Sequence, residues 1–432
     1  MKNSGVEWIG EIPEDWEVKP VKRYFSHVKR IVGDDVDKYE RLSLTMQGVL
    51  KRSKDDAEGL QPEKFNGYQI LKQNELVFKL IDLENVNTSR VGISPFNGLV
   101  SPAYIILTNN KKDNTFYYYW FLNMYYQEIF NKLGDGGVRS ALNASDVLSL
   151  PMVYLNNETQ QRIASYLDKK CSKIEETIQN QQQVIEKLKA YKQSLITEAV
   201  TGKVKIENGK ACGEYESYKD SGVEWIGRIP SGWEIKKLKY IADSFSKGSG
   251  ITKEEIVING DTPCVRYGEL YTKYDYHFTE CQTRTNLGII ETPKYFSHGD
   301  VLFTCTGELV EEIGKSIAYL GNEKCLAGGD IIVLKHSQDP MFMGFALDSK
   351  YVQGQKSFGK TKLKVVHISS GEIARLLIVL PSKEEQKEIA DYLDKKCTAI
   401  DTTIEQKQKL IEKLTEYKKS LIYECVTGKK EI

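Results

Sequence analysis

The chain has 432 residues, 40% of them hydrophobic, and its 60 Lys and Arg balance 60 Asp and Glu. That length gives room for two to four domains with their own cores. Zero net charge excludes a simple polyanion-binding tail but not a local basic patch. No apolar run approaches membrane-spanning length, and the polar start lacks the basic-then-apolar pattern of a secretory signal. The eight cysteines include no Cys-x-x-Cys pair, and the five histidines are scattered. The expectation is a cytoplasmic chain with no disulfide framework, zinc site or other cofactor.

The first feature along the chain is half of a repeat. Ser4-Gly5-Val6-Glu7-Trp8-Ile9-Gly10 returns unchanged as Ser221-Gly222-Val223-Glu224-Trp225-Ile226-Gly227, and each copy runs on to Trp16 or Trp233. Both tryptophan pairs are read as packing this frame against its helix. Behind each copy comes an insert, roughly 20–157 and 237–383, broken into short β-type runs by Gly, Asn, Asp and Pro. Examples are Glu75–Leu80, Ala103–Leu107, Asp300–Thr304 and Asp330–Leu334. The aromatic-dense stretch Thr115–Leu133, and its counterpart Met341–Tyr351 after Asp339-Pro340, read as buried helix. Apart from these features the two inserts hardly resemble each other.

Residues 158–201 and 384–427 follow as long helices. Tyr166-Leu167-Asp168-Lys169-Lys170-Cys171 returns as Tyr392-Leu393-Asp394-Lys395-Lys396-Cys397. From there Cys171, Ile174, Ile178, Gln181, Ile185, Leu188, Lys192 and Leu195 step in threes and fours. Cys397, Ile400, Ile404, Lys407, Ile411, Leu414, Lys418 and Leu421 repeat the pattern. This is a heptad seam, and a polar seam residue such as Gln181 or Lys407 would help fix its register. Ser382 to Glu385 has capping-box spacing, and Asn157 with Gln160 is a weaker version. Gly202 and Gly428 can take the left-handed conformation that closes a helix. Each helix would be roughly 65 Å long at about 1.5 Å per residue.

A lone helix of this kind leaves its apolar stripe wet, so the economical solution pairs the two within the chain. A trimeric or intermolecular coil is the alternative. Either orientation is topologically open, and an antiparallel one would put the inserts at opposite ends of a rod. The polar, glycine-bearing stretch 203–220 reads as a linker.

Enzyme signatures are missing. Gly307 to Ser316 superficially suggests a phosphate-binding P-loop, but six residues separate its glycines where four are needed, and three are acidic. There is no Asp/Asn-Pro-Pro-aromatic tetrapeptide, no Gly-x-Gly-x-x-Gly opening a helix after a strand, and no nuclease constellation. What remains is two basic, flexible segments in equivalent places. Lys356, Lys360, Lys362 and Lys364 lie in one, and Arg139 and Ser140 in the other. Glycine lets a backbone approach phosphate, while Lys, Arg and Ser donate to phosphates or base edges. Lys51, Arg52, Lys54, Lys79 and Arg90 form a further candidate DNA-binding set in the first insert. In the second, Arg266 and Lys273 interleave with Tyr267, Tyr271 and Tyr274; tyrosines at such spacing are more often core.

The repeated Ser-Gly-Val-Glu-Trp-Ile-Gly-x-Ile-Pro-x-x-Trp openings resemble the start of each half of a type I restriction-modification specificity subunit. So do Glu384 through Lys396 and Leu421 through Lys429. Gly299–Phe303, Gly314–Ser316, Ala327–Ile331 and Ser101–Tyr104 are similar to segments of the family's target-recognition domains. One departure is that Leu380-Pro381 directly precedes the second helix, whereas Leu150-Pro151 stands four residues before Tyr154-Leu155. That leaves room for a shifted join in the first half.

The resemblance implies an α+β architecture: two mixed α/β target-recognition domains separated by two long antiparallel helices in a coiled coil, with a pseudo-twofold internal repeat. The expected boundaries are 1–157 and 221–383 for the recognition domains, 158–202 and 384–432 for the helices, and 203–220 for the linker. It also implies that each domain reads half of a bipartite target in double-stranded DNA. The helices would space the half-sites and dock two methyltransferase subunits, with two restriction subunits as further partners. Those partners would carry the adenine-N6 methylation and the cleavage. This chain would be non-catalytic, without a cofactor or membrane contact. Different inserts predict an asymmetric target. A stand-alone DNA-binding regulator or scaffold is the other reading. An enzyme working alone would need a cofactor motif that the chain lacks.

Overall fold

The computed structural model describes residues 1–55, 64–83, 90–109, 113–133, 141–361 and 365–432. They form two compact units, Met1–Gln181 with Gln408–Ile432, and Gln182–Lys407. Both long helices are present, as Asn157–Val200 and Lys383–Val426. Each helix contributes one end to each unit.

The helices run antiparallel within each unit because both seams are apolar and neither can stay wet. In the first unit Ile163, Leu167, Cys171 and Ile174 share a core with Leu421, Ile422, Cys425 and Val426. In the second, Leu195, Ile196, Ala199 and Val200 meet Ile389, Leu393, Cys397 and Ile400. Two seam lysines close on a carboxylate of the other helix. Lys418 Nζ lies 2.5 Å from Glu175 in the first unit, and Lys192 Nζ lies 2.7 Å from Asp401 in the second. Burial works against the Lys192 charge, but Asp275 and Asp401 outweigh it and hold its pKa above the ordinary lysine value.

Capping differs from the expectation at one end. Ser382 exchanges hydrogen bonds with Glu385, as its spacing predicts. The first helix is capped one residue earlier than expected: Asn156 accepts from the Thr159 amide at 2.8 Å, and the Gln160 side chain donates to the Leu155 carbonyl.

Each insert is closed at its base by the same antiparallel ladder. Glu17–Pro20 pairs with Pro151–Tyr154, and Glu234–Lys237 pairs with Leu377–Leu380. Glu17 faces Tyr154 as Glu234 faces Leu380. The two halves therefore join their helices at the same place, and the displaced proline brings no shift; Pro151 simply opens its strand.

Above the ladders the inserts differ. The first holds two four-stranded sheets, one in the order Gly48–Arg52, Arg41–Thr45, Gly98–Val100, Gln69–Leu71, the other Ser26–Val28, Ile105–Thr108, Leu76–Phe78, Val91–Ile93. The second holds a five-stranded sheet centred on Val301–Thr304 and a four-stranded sheet containing Thr262–Val265 and Cys325–Ala327. The aromatic stretch forms helices Thr115–Tyr126 and Ile129–Leu133, with Tyr117, Trp120 and Phe121 fully buried. Its counterpart is Pro340–Asp348 and Lys350–Ser357, with Asp339 capping the Phe342 amide. The 203–220 stretch carries the hairpin Ile206–Glu207 with Lys210–Ala211, and Tyr215 packs edge-on to Trp233 at 5.4 Å.

The repeated frame meets a helix end in each unit. Gly428 and Gly202 close their helices at φ +72° and +71°. A Cβ on Gly428 would lie 2.4 Å from Pro13, and one on Gly202 would lie 2.4 Å from Pro230. Trp16 and Trp233 are buried at these junctions, as expected. The other pair splits: Trp8 lies 5.5 Å from Trp120, whereas Trp225 is 62% exposed and packs no frame.

Each insert also grips the helix frame through the repeated Tyr-Leu-Asp motif. Tyr119 donates its hydroxyl to Asp168 at 2.8 Å, and His277 Nε2 meets the equivalent Asp394 at 2.8 Å. One conserved anchor in the frame is used by two unrelated side chains.

Candidate nucleic-acid interface

Three segments of the second insert converge on an open cleft of about 880 Å³, lined by Lys247–Lys253, Arg266–Lys273 and Gly328–Asp330. The backbone dictates the convergence. Strand Thr262–Val265 runs parallel to Cys325–Ala327, and the Gly328 amide donates to the Val265 carbonyl. Ser249 bridges Gly328, and a Cβ on Gly248 would lie 2.0 Å from the Gly328 carbonyl oxygen. Only glycine permits that approach. The result is a floor of bare backbone rimmed by Lys247, Lys253, Arg266 and Lys273.

Glu269 organises the rim. Its carboxylate, 4% exposed, accepts from the Arg266 amide at 2.9 Å, Lys273 Nζ at 2.7 Å and the Thr283 hydroxyl at 2.9 Å. Lys273 is therefore tied to an acid. Arg266 is held less tightly: its Nε makes a long ion pair with Glu269 at 4.0 Å, and its guanidinium makes no hydrogen bond among the described residues. The Asp330 carboxylate is similarly unspent.

Helix Tyr267–Thr272 separates this basic cleft from an acidic one of about 730 Å³. There Asp275, Glu308, Glu311, Glu312 and Asp348 outnumber Lys315 and Lys350. The Lys315 ammonium, the lysine of the apparent P-loop, donates to the Tyr274 carbonyl at 2.7 Å. Phosphate is attracted to the first cleft and repelled from the second.

The basic segment that carries Lys356 and Lys360 needs correction, and Lys356 lies in helix Lys350–Ser357. Lys356 is 1% exposed, donates to the Gly314 carbonyl and the Ser316 hydroxyl, and has its pKa pushed down to about 8 by burial. A buried lysine holding two chain segments together offers nothing to DNA. Lys360 is half-buried and bonded to the His367 carbonyl and to Glu372, both at 2.7 Å. Lys362, Lys364, Arg139 and Ser140 lie outside the described residues.

In the first insert, Lys51 and Arg52 sit on strand Gly48–Arg52 with Lys54 just beyond. Lys51 pairs with Glu40 at 2.5 Å and lies over Phe96, while Lys54 donates to the Val36 carbonyl at 2.7 Å. Arg52 stands directly across from Arg41 and is half-buried. Lys79 is half-buried just beyond strand Leu76–Phe78 of the other sheet, with its backbone amide bonded to the Arg90 carbonyl. Arg90 is the second correction. It is fully buried, its guanidinium donates to the Ile81 and Asp82 carbonyls at 2.7 Å each, and burial lowers its pKa.

Of the interleaved tyrosines, Tyr274 is buried and stacked on Phe278, and the Tyr271 hydroxyl bonds Thr304 at 2.7 Å. Only Tyr267 keeps substantial exposure, at 40%. Sequence reasoning missed Lys247, Lys253 and Asp330. The signal was present in Lys247-Gly248-Ser249-Gly250 and in Gly328-Gly329-Asp330, where glycines flank charged residues after strand-like runs. All eight cysteines are free thiols. Among the described residues, no helix is long and apolar enough to cross a membrane.

Comparison with known proteins agrees with this arrangement. Residues 230–416 match the family described as type I restriction modification DNA specificity domain. The chain is 24% identical over 446 residues to the putative type I restriction enzyme MjaX specificity subunit of Methanocaldococcus jannaschii, covering 98% of this chain and 95% of that protein. It is 25% identical over 244 residues to the type I restriction enzyme MjaVIII specificity subunit of the same organism, covering 54% of each. A structure solved in work on complex assembly and conformational transition of the type I R-M system matches with a TM-score of 0.67 at 14% identity. That match covers 97% of this chain and all of that one, and it shows the fold.

Proposed function

We propose, from the premise that this chain belongs to the type I restriction-modification specificity family, that it reads a bipartite, asymmetric site in double-stranded DNA and carries no chemistry of its own. The first insert, within 1–157, takes one half-site, and the second, within 221–383, takes the other. The helices of 158–202 and 384–432 set the gap between them and dock methyltransferase subunits, to which restriction subunits add. Those partners supply adenine-N6 methylation and cleavage in the cytoplasm. Lys51, Arg52, Lys54 and Lys79 are the contacts offered by the first insert. Lys247, Lys253, Arg266, Lys273 and Lys360 are those of the second; Arg139 and Ser140 of the first insert and Lys362 and Lys364 of the second, which lie outside the described residues, complete the set.

The observation that carries this reading is that two differently built inserts are fixed to one repeated helical frame by matched ladders and matched aspartates. A frame that repeats while its heads differ suits a reader of two unlike sequences at a set distance. The basic, glycine-floored cleft supplies electrostatic attraction on one face of the second head.

Deleting a matched heptad from both long helices tests it. Seven residues span about 10 Å at 1.5 Å each, or about 3 base pairs at 3.4 Å. Methylated adenines mapped in the host genome are expected to keep both half-sites and change their separation. An unchanged separation rejects the ruler. A chain that binds DNA tightly and never co-purifies with a methyltransferase points to a stand-alone regulator.

A further inference from the structure

Of the basic side chains around the second insert's cleft, one differs in kind. Lys247 and Lys253 are exposed on flexible stems, and Lys273 is occupied by Glu269. Arg266 is 28% exposed, and its stem packs against the backbone of Gly328. A Cβ on Gly328 would lie 3.1 Å from Arg266 Cα and 3.6 Å from its Cγ. Its position is set from two sides, by the Glu269 carboxylate on its amide and by the parallel strand beneath it. The guanidinium is nonetheless free of hydrogen bonds. A planar fork with five donors, fixed at its root and held at its tip only by a 4.0 Å ion pair to Glu269 with no hydrogen bond, suits a bidentate acceptor better than a phosphate that any mobile lysine can reach.

Asp330 adds the complementary group. It follows Gly328 by two residues, lines the same cleft, and its carboxylate accepts no hydrogen bond among the described residues. An acceptor beside phosphates is a liability unless it meets a donor. In the major groove the two groups match one base pair: guanine O6 and N7 accept from an arginine fork, and cytosine N4–H donates to a carboxylate. The bare glycine floor lets base edges come close.

We propose that Arg266 and Asp330 read a G·C pair in the half-site of the second insert, Arg266 on the guanine and Asp330 on the cytosine amino group. Lys247 and Lys253 hold the flanking phosphates. This deepens the functional reading above and rests on it.

The test uses the full chain as isolated from its host and a DNA duplex library with randomised sequence. Selection on the wild-type protein defines the preferred site, and the selection is repeated with R266K, R266A and D330N, with the salt dependence of binding measured for each. Arg266→Lys keeps charge and stem but not the fork, so folding is expected to be retained, as an unchanged thermal unfolding profile will verify. The expected result is that discrimination at one G·C position falls by about 5- to 150-fold in R266K, with every other position intact. D330N is expected to weaken the same position. Two results overturn the assignment: an R266K profile identical to wild type, or an R266A loss that is uniform over all sequences with a salt slope shallower by about one, which makes Arg266 a phosphate contact. If the wild-type chain selects no preferred sequence, the functional reading itself fails.

Discussion

Lys192 occupies in the first long helix the place that Lys418 occupies in the second, and each reaches a carboxylate of the opposite helix, Asp401 or Glu175, at an equivalent position of the repeat. The repeat thus preserves a contact as well as letters. The surroundings differ. Lys192 has a second acid, Asp275 at 2.5 Å, contributed by the second insert, which shares its unit.

Lys192→Met is therefore expected to cost more than Lys418→Met, because it leaves Asp275 and Asp401 facing each other. Both acids are about half exposed, so solvent screening limits the cost to about 1–2 kcal/mol. Double-mutant cycles with Asp401→Asn and Glu175→Gln are expected to give coupling of about 0.5–1 kcal/mol. No coupling would show that the lysines merely fill space.

Tyr119→Phe removes the donor that Asp168 accepts. Burial raises the Asp168 pKa while the Tyr119 hydroxyl lowers it. Without that hydroxyl, the carboxyl is expected to titrate still higher, and stability is expected to fall by about 1–2 kcal/mol. Carboxyl-resolved NMR titration reads the first effect and urea unfolding the second.

Gly202→Ala and Gly428→Ala are both expected to destabilise strongly, by about 2–4 kcal/mol, through left-handed backbone and collision with a proline ring. Gly222→Ala provides the control. It has the same positive φ but nothing within 4 Å of the added Cβ, so only the backbone cost of about 1 kcal/mol remains. Equal melting temperatures for all three variants would contradict the packed junctions.

His336 confers acid sensitivity. Burial pushes its pKa down to about 4, against the pull of Asp243, and its Nδ1 accepts the Gln338 amide. The folded state binds this proton less readily than the unfolded chain does. The stability that results is present above the ordinary histidine value of 6.5 and is lost as pH falls toward 4. The slope is at most about 1.4 kcal/mol per pH unit. Replacement by Asn, which still offers an acceptor, is expected to flatten unfolding-midpoint curves across that window.

The frame was legible in the sequence because repetition and heptad periodicity are local patterns. Both long helices lie within one residue of their expected ends, and the aromatic stretches are buried helices. Basic side chains were harder to place. Lys356 and Arg90 read as surface charges, yet chain carbonyls brought together by tertiary folding hold them inside. The cleft of Lys247, Arg266 and Asp330 depends on a parallel strand pairing between distant segments, which no local pattern encodes. Trp225 shows the converse. It shares its motif with Trp8, but in the first unit Trp120 lies within stacking distance of Trp8, while Trp225 is left open to solvent.

The ladders beneath the two inserts have a genetic consequence. A segment whose chain enters and leaves through adjacent, register-matched strands can be exchanged for another of different internal build, provided the four-pair ladder is rebuilt. Identical peptide blocks flank these segments in both halves, Ser4–Gly10 and Ser221–Gly227 before them and Tyr166–Cys171 and Tyr392–Cys397 after them, and an exchange at such blocks would transplant a whole head without touching the helical seam. A new DNA address could then arise in one crossover, with no gradual path through weakened proteins.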